Sequence, residues 1–220
     1  MLYNIKLSDG NKHDLINLIL QKKHIGKFNV IDVGGSMTGW SSPYIDAVVD
    51  FNDLDVFNNN VNIKHFKCDI THPDSWIEIL DYVQINGKFD FCICTHTLED
   101  IMNPVYVSEQ ICKISNEGFI SFPSKFRELS KFENGENYRG YIHHRWIFKV
   151  KNNCEIIAFP KINFIENNKN FDKIANMAEN IKDLSFYWKD TIEMKYINNN
   201  YLGPGCDSVI SYYNDLYIMN

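Results

Sequence analysis

The chain reads as an α/β protein: a doubly wound, mostly parallel sheet with an antiparallel edge hairpin and a small C-terminal extension. Three observations lead there. Short apolar runs alternate with helical patterns between residues 9 and 124. Phe89-Asp90-Phe91-Cys92-Ile93-Cys94 is almost continuously apolar, as a strand covered on both faces must be. Val30-Ile31-Asp32-Val33 runs directly into Gly34-Gly35-Ser36, a strand–glycine join of the kind that parallel sheets place against ligands.

Taken in order, Ser8-Asp9 caps a helix over 9–24 that carries Leu15, Ile16, Leu18, Ile19 and Leu20 and closes at Gly26. Phe28–Val33 is the first strand and Ala47–Phe51 the second. Gly34 to Asp46, between them, leaves room for about one helical turn. Val61–Phe66 is a weak third strand. Pro73 opens a helix through Val83, where its missing N–H costs nothing. Phe89–Cys94, a helix from Val105 to Ile114 opened by Pro104, and a strand Phe119–Phe122 complete the alternation. Trp146–Val150 and Glu155–Phe159 form the edge hairpin across Lys151-Asn152-Asn153. Residues 171–183 read as helical, 185–197 as extended and 207–218 as helical, and the asparagine runs at 58–60 and 198–200 as turns. The domain division expected is 1–165 for the ligand-binding body and 166–220 for an extension packed on it.

Hydrophobic residues make up 45% of the 220, enough for a packed core. A net charge of −6 lacks the electrostatic footprint of a polyanion binder, which argues against nucleic acid as a partner. The six cysteines show no CxxC pair and no Cys/His ligand spacing, so no zinc site is expected and reduced, buried thiols are. Neither an apolar leader nor a run of ~18 apolar residues is present, which points to a cytoplasmic protein without a membrane span.

Glycine at 34 and 35 lets backbone approach a ligand closely, and the N–H groups there can face an anion. Asp50 ends the second strand, eighteen positions beyond Asp32, where an acid can accept from both hydroxyls of a ribose; Asp53 or Asp55 could serve instead. Asp69, in Cys68-Asp69-Ile70, either accepts from an adenine amino group or caps the helix ahead of Pro73.

On these residues the chain resembles the class I S-adenosylmethionine-dependent methyltransferases. Thr95-His96-Thr97-Leu98-Glu99-Asp100 is similar to the Ser-His-x-Leu-Glu-His segment of the type 11 small-molecule methyltransferases, and Gly118-Phe119-Ile120-Ser121-Phe122-Pro123-Ser124 resembles their next strand. The resemblance covers residues 28–124. It implies a Rossmann-like methyltransferase fold and S-adenosylmethionine as cofactor. Asp32, Gly34, Gly35 and Ser36 would lie along the methionine part, Asp50 and Phe51 at the ribose, Asp69 and Ile70 at the adenine, and Thr95 and His96 beside the sulfonium. Ser36 stands where the family has glycine, Asp100 where it has histidine, and the first crossover is short.

The expected activity is methyl transfer to a small-molecule acceptor, with a hydroxyl of a sugar or sugar nucleotide among those that fit. The catalytic base would come from His143, His144 or His96, and Arg139 or Arg145 would orient an anionic or sugar-like acceptor. Because adjacent strand residues face opposite ways, one of His143 and His144 is expected at the pocket; alternatively the pair is a structural knot over Trp146. The chain has no Asp-Pro-Pro-Tyr and no Pro-Cys nucleophile, which argues against base-modifying DNA enzymes. Two other readings remain: a binding module that keeps the fold without catalysis, and an NAD-linked oxidoreductase, which Gly34-Gly35-Ser36-Met37-Thr38-Gly39 fits poorly. The aromatic cluster Phe186-Tyr187-Trp188 reads as core, with a lid or a homo-oligomer contact as alternatives.

Overall fold

The computed structural model describes residues 1–8, 10, 12–52, 62–133, 137–173, 181–197 and 206–217. Its elements run β1 (Leu2–Ser8), α1 (His13–Ile25), β2 (Val30–Val33), β3 (Ala47–Asp50), β4 (Lys64–Lys67), a 3-10 turn (Pro73–Trp76), α2 (Ile77–Asn86), β5 (Phe89–Thr95), α3 (Pro104–Ile114) and β6 (Ser115–Pro123). There follow α4 (Lys125–Leu129), β7 (Trp146–Lys151), β8 (Glu155–Pro160), α5 (Phe164–Asn167), β9 (Asp183–Lys189), β10 (Glu193–Tyr196) and α6 (Cys206–Tyr217). Asp53, Asp55, both asparagine runs and most of the helix expected at 171–183 lie outside the described residues.

Seven strands form one sheet in the order β1-β9-β6-β5-β2-β3-β4. The strands from β2 to β6 pair in parallel, while β9 runs antiparallel between β6 and β1. The architecture is Rossmann-like. Chain order reverses between β2 and β5, so a crevice opens past the carboxyl ends of those two strands.

Period-2 alternation along β5 feeds two cores. Phe91 and Ile93 pack with Leu15 and Ile19 of α1 on one face, while Cys92 and Cys94 pack with Ile79 of α2 and with Val107 and Ile111 of α3 on the other. Burial pushes both thiols well above their ordinary pKa, which leaves them inert. Gly118 admits the close approach of β6 to its neighbours: a Cβ there would lie 2.3 Å from the Cys92 carbonyl oxygen and 2.7 Å from Trp188 Nε1.

Three local details depart from the expectations. The helix starts at His13, because residues 2–8 are consumed by an edge strand paired with β9. The Gly34–Asp46 crossover is a chain of turns with no α-helix. The expected antiparallel hairpin forms from β7 and β8, but it belongs to a separate three-stranded sheet completed by β10, parallel to β8. This small sheet lies between two apolar layers. Phe148 reaches Phe122 of β6, with ring centroids 4.1 Å apart, while Ile147 and Phe159 pack beside Tyr213 and Leu216 of α6. Residues beyond 165 therefore do more than pack on the body, since β9 is an interior strand of the main sheet.

Candidate functional site

The crevice between the ends of β2 and β5 is an open cleft of about 400 Å³, lined by Asp32, Gly34, Gly35, Ser36, Asp50, Thr95 and His96, together with Lys12, Trp40 and Asn52. That volume lies within the range of small-molecule sites. Gly34 has φ +80°, and a Cβ on it would meet Thr97 at 2.4 Å; one on Gly35 would meet the Asp32 carboxylate at 2.3 Å. The turn is thus pressed against the ends of both strands, and only glycine fits there. Asp32 is 2% exposed and accepts a hydrogen bond from Ser41; burial raises its pKa to about 6. At the end of β3, beside the glycine turn, Asp50 Oδ1 accepts from the Asn52 backbone (3.1 Å) and side-chain (3.2 Å) amides.

His96 sits at the end of β5 with φ +51°, an uncommon conformation for a non-glycine residue. Its backbone N–H donates to Ser121 O (2.9 Å), its Nδ1 lies 3.3 Å from Glu99 Oε1, and its Nε2 lies 3.4 Å from Asp183 Oδ2. Burial disfavours the imidazolium, but the Asp183 and Glu99 carboxylates outweigh it and hold the pKa at about 9. At neutral pH His96 therefore already carries its proton, and the role of general base does not fit it. Glu99 is 1% exposed, and burial raises its pKa against the opposing pull of His96.

Other residues singled out from the sequence lie outside the cleft lining. Asp69 Oδ1 accepts from the Thr71 amide (3.0 Å) and hydroxyl (2.7 Å), a local turn that holds its pKa below the usual carboxylate range. Ile70 is buried in the core, its carbonyl accepting from Trp76 Nε1, and Phe51 is exposed. Arg139, 1% exposed, spends its guanidinium on the carbonyls of Ile165, Leu129 and Asn168 and on Asp172, which makes it an internal tie.

His143, His144 and Arg145 line a second cavity of about 480 Å³ with Met102, Ile142 and Lys161. Residues 143 and 144 precede β7 in a turn, so strand alternation does not apply and both imidazoles approach Asp100 Oδ1, at 3.8 Å and 3.5 Å. His144 is buried, its Nδ1 2.6 Å from Glu128 Oε1, and Lys161 Nζ donates to Glu128 Oε2 at 3.0 Å. Trp146 Nε1 donates to Ile101 O (2.7 Å), which fixes the base of this turn.

Sequence reasoning missed Lys12, Glu99 and Asp183 as neighbours of the site. Lys12 stood inside an expected helix, and Asp183 arrives on a strand from the far end of the chain. Only Glu99 left a signal, three residues after His96 in the motif already noted.

No family model and no curated protein matches the chain. Among solved structures, the N-terminal domain of EvdMO1, crystallised in the presence of SAH and D-fucose, aligns at 10% identity and a TM-score of 0.42, over 80% of this chain and 83% of that one. The methyltransferase domain of a bacterial CtHen1 aligns at 10% identity and 0.44, over 81% and 98%. An S-adenosylmethionine-dependent methyltransferase from Mesorhizobium loti aligns at 9% and 0.40, over 94% and 81%. Likenesses this distant decide nothing about the chemistry of the cleft. Among the described residues, no helix is long and apolar enough to cross a membrane.

Proposed function

We propose that the protein is an S-adenosylmethionine-dependent methyltransferase acting on a small-molecule acceptor, with a sugar or sugar-nucleotide hydroxyl as the class that best suits it. The observation that carries this reading is the glycine turn at Gly34-Gly35 lining, with Asp50 at the end of the next strand, one cleft at the switch point of the sheet. In this reading Asp50 accepts from the ribose hydroxyls and the Gly34–Ser36 backbone lies along the amino-acid moiety. Lys12, which also lines the cleft, would answer its carboxylate. The cofactor, when bound, supplies an activated methyl group on a sulfonium. In this reading His96, held between the Glu99 and Asp183 carboxylates, forms the wall beside the sulfonium. The remaining task of the cleft is to align the acceptor and exclude water.

Isothermal titration with S-adenosylhomocysteine tests the reading. One equivalent should bind, and Asp50→Ala should weaken it by about 2 kcal/mol or more, the loss of hydrogen bonds to a charged acceptor. A folded sample that gives no heat refutes it. A binding module without turnover is the second reading, favoured by a histidine in the cleft that is already protonated. Methylated product from any acceptor eliminates it.

A further inference from the structure

Asp100, His143 and His144 come together from two loops that the sequence separates by more than forty residues. Backbone bonds from Arg145 N (2.7 Å) and Trp146 N (3.3 Å) to Glu99 O fasten the loop after β5 to the turn before β7, so the three side chains are set in place by the scaffold. Their ligand atoms all lie within 4.8 Å of one another, with His143 Nε2 and His144 Nε2 at 3.8 Å and 3.5 Å from Asp100 Oδ1. Donors about 2.1 Å from a metal at the centre of a tetrahedron stand about 3.4 Å apart, so small side-chain rotations close the geometry.

The hydrogen bonding around the cluster supplies an independent argument. A carboxylate only accepts, so the 2.6 Å contact between Glu128 Oε1 and His144 Nδ1 places a proton on Nδ1. Nε2, the nitrogen left to bind a metal, faces Asp100 Oδ1. That oxygen is enclosed and has no hydrogen-bond partner among the described residues. The two atoms stand 3.5 Å apart, close to the spacing of two ligands on one cation. Glu128 is answered by Lys161, while the neighbours of Asp100 Oδ1 are the two imidazoles, with no lysine or arginine within ion-pair distance among the described residues. A carboxylate bonded to the far nitrogen of a histidine is also the arrangement that orients metal-ligating imidazoles and raises their basicity.

We propose that Asp100 Oδ1, His143 Nε2 and His144 Nε2 bind a divalent transition metal of the zinc class, with the fourth position open to the second cavity. Two imidazoles and one carboxylate are borderline donors that suit zinc, cobalt or iron better than calcium or magnesium. Three protein ligands with one position left over is the pattern of a reactive site rather than a closed structural one. Water or an oxygen of a small ligand would take that position. The absence of clustered cysteines, which argued against zinc from sequence, does not bear on a site built from these donors.

The test is a titration of the chelator-stripped full chain with Zn²⁺, repeated with Co²⁺ to read coordination from its visible absorption. One equivalent should bind, with the bands of a tetrahedral nitrogen–oxygen site and no thiolate charge-transfer band. His143→Ala, at an exposed position, and Asp100→Asn should each weaken binding by about tenfold or more, with unchanged circular dichroism. No binding, a thiolate spectrum, or a loss below about tenfold in either folded variant overturns the proposal. The outcome is separate from the S-adenosylhomocysteine titration, which reads the other cleft.

Discussion

Glu128 holds two buried partners, and removing its charge should be among the costliest single changes in the protein. Its Oε2 receives Lys161 Nζ at 3.0 Å, with Lys161 side chain 2% and Glu128 side chain 1% exposed. In Glu128→Gln the amide oxygen can still accept from His144, but the ammonium of Lys161 loses its only carboxylate among the described residues. Breaking one side of a buried ion pair costs about 3–5 kcal/mol. Lys161 keeps the carbonyls of Arg139 (2.9 Å) and Tyr141 (2.7 Å), so the lower end, about 3 kcal/mol, is expected. For a chain of 220 residues that corresponds to a fall in Tm of about 6–12 °C. Urea unfolding of Glu128→Gln, of Lys161→Met and of the double variant measures it. The double variant should be more stable than Glu128→Gln alone, because it removes the stranded charge as well as its partner. A loss below about 1 kcal/mol, or a double variant no better than the single one, refutes the reasoning.

Two further outcomes follow from other features. The pKa of His96 is raised from 6.5 to about 9, burial being outweighed by Asp183 and Glu99, so its contribution is fully present below pH 6.5 and is lost as pH rises through about 9. The side chain is 39% exposed, so solvent screening reduces that contribution to about 1 kcal/mol. Its imidazole proton resonances should titrate near pH 9, and a midpoint below 7 would contradict the assignment. Gly118→Ala should cost about 2–3 kcal/mol in urea unfolding, because the new methyl meets the Cys92 carbonyl at 2.3 Å; a cost under about 0.5 kcal/mol would show that β5 and β6 can part.

The parts of the molecule legible from sequence are those whose signal is local. The unbroken apolar run at 89–94 has to be covered on both faces, and it is the central strand β5. The Asp32-to-Ser36 join encoded a strand end and a tight turn, and both line the cleft. What the sequence concealed depends on partners far along the chain. Leu2–Ser8 is a strand only because β9 lies beside it, and its own pattern is broken by Asn4 at φ +51° and by a register shift. Arg139 looked like a free cation in a polar loop, yet it is held by backbone carbonyls, which leave no trace in residue identity. Asp100 and the histidine pair carry no ligand spacing, because two backbone bonds to Glu99, not neighbouring positions, bring them together.

The place of β9 also governs how this chain must be made. β6 is complete at Pro123, but the strand that covers its open side ends at Lys189. At ribosomal speeds of ~5–20 residues per second, that edge waits about 3–13 s, with its amides and carbonyls unpaired beside a large apolar surface. Leu2 waits longer still for Trp188, about 9–37 s at the same speeds. The nascent polypeptide therefore has a window in which stray pairing competes with closure, and slower elongation past Pro123 should lower the yield of folded product.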